Sequence, residues 1–197
     1  MVAMKFATIA VLATVAVAAP TTAVTTAEEV KPWSWSQWVA DIMNPDVVAL
    51  TPEQAVEAYY ASLNATASTH DGAAKINKRY LSWCTTDEQD TPRHLLRPDV
   101  DAAVKCVSGL AALGSSVRYA VNPFYILCQD VIGARMIVSL YGVEGNPGLY
   151  TTAHDFAVAG GHIMDSCTWG GTTGGEIIEN DQKLLQYELT KLGSRAI

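Results

Sequence analysis

The chain has 197 residues, with 13 Lys and Arg against 20 Asp and Glu, and a formal net charge of −7. An acidic balance of this size leaves no electrostatic footprint for nucleic acid or for an anionic lipid surface. The length suits one domain, or one domain with an extension.

Met1 to Lys5 carries one positive charge, and Phe6 to Val17 is a run of small apolar residues broken only by Thr8 and Thr14. Ala16-Val17-Ala18 supplies the small residues of a cleavage site, so residues 1–18 read as a secretory signal peptide. The run is shorter than the roughly 20 residues a membrane span needs, and no later segment approaches that length. An exported, extracellular chain is the expectation. Cleavage removes one positive charge, Lys5, and takes −7 to −8. In an oxidising compartment the four cysteines, Cys84, Cys106, Cys128 and Cys167, predict two disulfides, with three pairings open. Their successive spacings of 22, 22 and 39 residues exclude the short CxxC pairs of zinc sites.

Ser34 and Gln37 form a capping-box pattern, with Trp33 and Trp38 placed as a hydrophobic staple, so a helix is predicted from Trp35. Trp35, Trp38, Val39 and Ile42 form its apolar stripe, which ends before Asn44-Pro45. Trp33, Trp35 and Trp38 are candidates for glycan stacking, although a stripe at this period more commonly packs into its own domain. Thr51-Pro52-Glu53-Gln54 starts a second helix, with Val56, Tyr59, Tyr60 and Leu63 as its buried face. Asn64-Ala65-Thr66 is the sole N-glycosylation acceptor, in a stretch from Asn64 to Gly72 that reads as a loop.

The dibasic pair Lys78-Arg79 precedes every cysteine. It marks either a kexin-type processing site, with 19–79 a helical extension or pro-region and 80–197 the stapled domain, or an ordinary surface pair in a strand from Ile76 to Trp83. Residues 19–79 hold four Lys/Arg and seven Asp/Glu, and residues 80–197 hold eight and thirteen, so both parts are acidic. Their association would have to rest on apolar burial.

Past a polar loop, Thr85 to Arg97, a helix is predicted from Asp99 to Leu113 with Gly114 as its stop. A strand follows from Val117 to Val121, with a bulge or break at Asn122-Pro123 and continuation to Cys128. Met136, Val138 and Leu140 mark its hairpin partner. After the loop Gly142 to Gly148, Thr152 and Asp155 open another helix, whose inner face is Phe156, Ala157, Gly160, Ile163, Met164 and Cys167. Gly160-Gly161 weakens that helix by roughly 1 kcal/mol per glycine, which close approach to a sheet would offset. Two strands close the chain, Gly175 to Asn180 and one with Leu185, Tyr187 and Leu189 inward and Gln186, Glu188 and Thr190 outward. This order predicts an α+β fold: a ferredoxin-like split-βαβ sandwich, two helices on one face of a mostly antiparallel sheet.

No nucleophile elbow, phosphate loop, HExxH or dinucleotide fingerprint occurs. His70, His94, His154 and His162 are the acid/base candidates. His154 and His162 stand about 80° apart around one helix, and a capping turn accounts for Thr152-Ala153-His154-Asp155 better than a base with its carboxylate. The pairs Glu176/Glu179 and Asp99/Asp101 do not define a sugar-sized cleft.

Residues 99–190 resemble small secreted fungal proteins with killer-toxin-like or necrosis-inducing effector domains. The resemblance rests on the DVDAAVKCVSGLAALG helix, the strand ending in Cys128, ARMIVSLYG, the AHDFAVAGGHIMDSC helix and GGEIIENDQKLLQYELTK. Cys106, in mid-helix, departs from that pattern and leaves the disulfide connectivity open. What the resemblance implies is a disulfide-stapled α/β-sandwich without a catalytic residue, metal or cofactor, acting as a secreted effector or killer toxin. Its partner would be a host or competitor protein, a membrane component or a glycan. The alternatives are a small hydrolase or ribonuclease using His94, His154 or His162, and a cell-wall carbohydrate-binding protein using the tryptophan cluster.

Overall fold

In a computed structural model of the protein, the residues described are 33–66, 80–85, 97–121, 124–128, 133–140, 149–179 and 185–191. The expected signal peptide, His70, His94, Lys78 and Arg79 lie outside them.

Ser34 caps helix α1 (Trp35–Met43) by accepting from the Gln37 amide at 3.2 Å. The reciprocal half of the expected box does not form, because the Gln37 amide group donates to Asp41 at 2.9 Å instead. Helix α2 (Pro52–Thr66) has the complete box: the Gln54 amide donates to Thr51 Oγ1 at 3.3 Å, and the Thr51 amide to Gln54 Oε1 at 3.0 Å. It extends through Asn64, which is exposed on its last turn rather than in a loop. Its buried residues are Ala55 and Tyr59, while Tyr60 and Leu63, expected inside, face solvent.

Next come strand β1 (Tyr80–Cys84), helix α3 (Val100–Leu113), strands β2 (Arg118–Val121), β3 (Phe124–Leu127), β4 (Arg135–Leu140) and β5 (Leu149–Thr152), helix α4 (Ala153–Cys167), and strands β6 (Gly175–Glu179) and β7 (Leu185–Thr190). Gly114, at φ +63°, stops α3, as expected for a residue free to enter the left-handed region. Thr152 and Asp155 close a full capping box on α4.

The fold is α+β with a mostly antiparallel arrangement. Five strands form one sheet in the order β1-β6-β7-β4-β3, every pair antiparallel, so β4 and β6 run in the same direction with β7 between them. β2 and β5 form a separate two-stranded sheet. The sequence predicted one strand resuming after Asn122-Pro123 and did not foresee β5. The division falls where proline withdraws a ladder donor.

Cross-strand partners point to the same side of a sheet. Phe156 of α4 meets the Tyr187 ring edge-on at 5.4 Å, so Leu185, Tyr187 and Leu189 face the helices, as predicted. Gln186, Glu188 and Thr190 face the other way and are nevertheless buried. On that side Glu176 stands directly opposite Glu188, and Gln186 donates to Glu176.

Helices α3 and α4 lie against the sheet, and α1 packs on both of them. Trp35 and Trp38 are 1% and 2% exposed and belong to the same core as Phe156, Met164 and Leu189. Residues 32–197 form one compact unit. Burial of the tryptophan stripe is the physical reason.

Gly160 and Gly161 permit this layering, but toward helices rather than chiefly toward the sheet. A Cβ at Gly160 would lie 2.6 Å from Val107 Cγ2 on α3, and one at Gly161 2.9 Å from Ser36 Cα on α1. Backbone cannot yield as a side-chain tip can. Gly161→Ala should lose about 1–3 kcal/mol to overpacking, less the ~1 kcal/mol of helix propensity it gains. Gly109, on the exposed side of α3 with nothing within 4 Å of its Cβ position, should instead gain up to ~1 kcal/mol as alanine. Thermal melts of the two variants should shift in opposite directions; a stabilised Gly161→Ala would contradict the close approach.

Candidate functional site

The cysteines pair as Cys84–Cys167 and Cys106–Cys128, with Cα–Cα distances of 5.2 and 5.4 Å, and none is free. The first bond ties edge strand β1 to the end of α4. The second ties mid-α3 to the end of β3, where Cys128 takes the left-handed backbone at φ +63°.

Two of the tryptophans proposed for glycan stacking, Trp35 and Trp38, are core residues. Trp35 is enclosed by Trp33 at 5.3 Å, Trp38 at 5.9 Å and Tyr59 at 5.1 Å, and the Trp38 indole donates to Leu50 O at 3.0 Å. Trp33 is half-buried on the edge of that cluster. A platform of three indoles is not available on α1.

Among the histidines, His154 Nδ1 lies 3.6 Å from Asp155 Oδ1. Asp155 is already committed to its capping box, accepting from the Thr152 amide at 2.9 Å. His162 is half-buried beside Asp165, whose carboxylate accepts from Ser34 Oγ, from the Trp35 and Ser36 amides, and from Ser36 Oγ. That carboxylate anchors the positive N-terminus of α1 on α4. Eight residues of helix separate the histidines by about 12 Å, so the structure does not bring them together.

Burial lowers the His162 pKa below the usual 6.5, and the Asp165 carboxylate partly offsets the shift. The folded state thus resists protonation more than the unfolded chain does. Above pH 6.5 both are neutral and nothing is lost. As pH falls below 6.5 the unfolded chain takes up the proton first, and stability declines until the folded pKa is passed. His162→Gln should flatten the acid side of a melting-temperature profile below pH 6.5, and an unchanged profile would count against the burial.

A different group of residues converges at the C-terminal end of α4. Trp169 and Thr172 exchange backbone hydrogen bonds at 3.1 and 3.2 Å around Gly170 and Gly171, whose φ values are +60° and +79°. Two positive φ angles in succession define a tight turn that admits glycine far more readily than other residues. Residues 97–100 run beside it: Asp99 bridges to Thr172, the Val100 amide donates to Gly171 O at 3.1 Å, and the Thr173 amide to Pro98 O at 2.9 Å.

Arg97 locks the corner. Its Nη2 donates to Cys167 O at 2.9 Å, Trp169 O at 3.3 Å and Thr172 O at 2.8 Å, satisfying the carbonyl end of α4 with a cation. Its guanidinium carbon lies 3.4 Å from the centroid of the Trp169 ring. Arg97 is 9% exposed and Trp169 42%. One face of the indole is therefore fixed on a buried cation, and no ring of the described residues stacks on it. Comparison with protein-family models, curated proteins and solved structures finds no match in any of the three.

Two further exposed aromatics flank the corner. Trp83, 49% exposed, precedes Cys84, whose bond to Cys167 keeps the Trp83 and Trp169 backbones within roughly 16 Å. The Tyr60 hydroxyl lies 3.6 Å from the Cβ position of Gly171. Sequence reasoning passed over Trp169 and Arg97, which are 72 residues apart. The one available signal was Gly-Gly between Trp169 and Thr172, a turn that presents its flanking side chains side by side.

Proposed function

We propose that the protein is an exported, disulfide-stapled effector of the killer-toxin-like kind, which acts by binding a target in another organism through the face around Trp169. The split-βαβ description of the sheet belongs to the same reading, supported by β7 lying between β4 and β6, whose connection runs through β5 and α4. The observation that carries the functional reading is the Trp169 indole stacked on buried Arg97 while the residue stays 42% exposed. Tryptophan and arginine dominate binding hot spots because they offer large contact areas. Here the side chain is already fixed, so little conformational freedom remains to be lost on binding.

Trp169→Ala is the direct test. The side chain is exposed, so the melting temperature should stay within a few degrees of the parent. Growth inhibition or tissue necrosis produced by the purified protein should fall about tenfold or more, the loss of a hot-spot contact of 1.4 kcal/mol or greater. Full activity in that variant would remove this face from the function.

A further inference from the structure

We infer that the face formed by Trp169, Thr172 and Asp99 binds a neutral, hexose-based oligosaccharide, one ring stacked on the Trp169 indole and the next offering its hydroxyls to the Asp99 carboxylate. This rests on the reading of the Trp169 face as the recognition surface and names its ligand class. Thr172 bridges to Trp169 on one side and to Asp99 on the other. Residues directly opposite each other in antiparallel pairing project their side chains to the same side. Asp99, Thr172 and Trp169 thus stand abreast, and the stacking of Arg97, two residues before Asp99, on the Trp169 ring agrees with that placement.

Asp99 is exposed, and although it is the N-cap residue of α3 its side chain makes no cap hydrogen bond. Two strand spacings of about 4.8 Å put its backbone about 10 Å from that of Trp169. That distance matches two linked pyranose rings. An aromatic face held rigid accepts the C–H face of a sugar, and a carboxylate accepts hydrogen bonds from two neighbouring hydroxyls, bonds stronger than those between neutral groups.

Charge selects among ligands. A cationic ligand would meet an indole whose inner face already carries a guanidinium at 3.4 Å. An anionic one would approach a carboxylate, with the exposed Asp101 nearby, on a chain of net charge −7. A neutral polyhydroxylated ligand meets neither opposition. The Tyr60 hydroxyl, 3.6 Å from the Cβ position of Gly171, borders the same turn.

Calorimetric titration with linear pentasaccharides of β-1,3-linked glucose, β-1,4-linked N-acetylglucosamine and α-1,6-linked mannose tests this, alongside a sulfated oligosaccharide. At least one neutral chain should bind and the sulfated one should not bind better. Trp169→Ala should weaken binding about tenfold, and Asp99→Asn, which keeps shape and capping ability, by about tenfold or more, both with unchanged melting temperature. Binding that survives both substitutions, or no binding of any neutral chain, overturns the inference. If no saccharide binds while Trp169→Ala still abolishes biological activity, the recognition reading stands and its target is a protein. If Trp169→Ala alters neither measurement, both fail together.

Discussion

Replacing Cys84 and Cys167 together by serine should destabilise the protein by about 4.5 kcal/mol, against about 3.4 kcal/mol for the Cys106 and Cys128 pair. The difference follows from loop size. The first bond closes 83 residues and the second 22, and the chain entropy removed from the unfolded state grows with the logarithm of that number. At roughly 2–4 °C per kcal/mol for a chain of this size, the first pair corresponds to a fall of about 9–18 °C in melting temperature. The bond also holds β1, an edge strand paired among the described residues with β6 alone, to the corner that Arg97 organises. Its loss should therefore weaken the proposed binding at Trp169 as well as stability, whereas loss of Cys106–Cys128, which joins mid-α3 to the end of β3, should affect stability alone. Melting curves of the two double variants with a binding measurement on each decide the matter. A larger loss from the shorter loop would refute the ranking.

Trp35→Ala should lose about 3–5 kcal/mol, the range for emptying a buried aromatic site. The indole is 1% exposed, and its N–H finds no acceptor within the core. Trp35→Phe should therefore recover most of the loss, since it discards an unsatisfied donor along with part of the ring. Trp38→Phe should fare worse, because Leu50 O would lose its donor. Near-normal melting of Trp35→Ala would mean that α1 is peripheral. The same burial bears on Lys78-Arg79. If export includes cleavage there, no disulfide joins the two pieces, yet α1 and α2 should co-elute with residues 80–197 on size exclusion and separate only in denaturant.

Helix starts were legible in the sequence because caps are local: Ser34, Thr51 and Thr152 each act within three residues of themselves. Alternation in β7 correctly separated Leu185, Tyr187 and Leu189 from Gln186, Glu188 and Thr190, but it could not reveal that the outward set is buried too. Two disulfides followed from a count of four cysteines, while their pairing depended on where β1 meets α4. The candidate site was hidden for the same reason. Arg97 ended a polar loop and Trp169 followed a helix, and only the fold lays one on the other. The tryptophan stripe of α1 was read correctly as amphipathic; what period 3.6 does not disclose is that the surface receiving it lies more than a hundred residues downstream.

Ser34 reaches its carboxylate partner, Asp165, across 131 residues of chain. A polypeptide made from its N-terminus presents α1 long before α4 has emerged, and over that interval the tryptophan stripe lacks the α4 surface it packs on. Contacts this distant in sequence delay folding, and apolar segments exposed in the meantime are where nascent chains associate wrongly. Folding yield should therefore be most sensitive to substitutions at Asp165 and Gly161, where the late helix receives the early one, and, if the chain is exported as proposed, secretion yield should follow it.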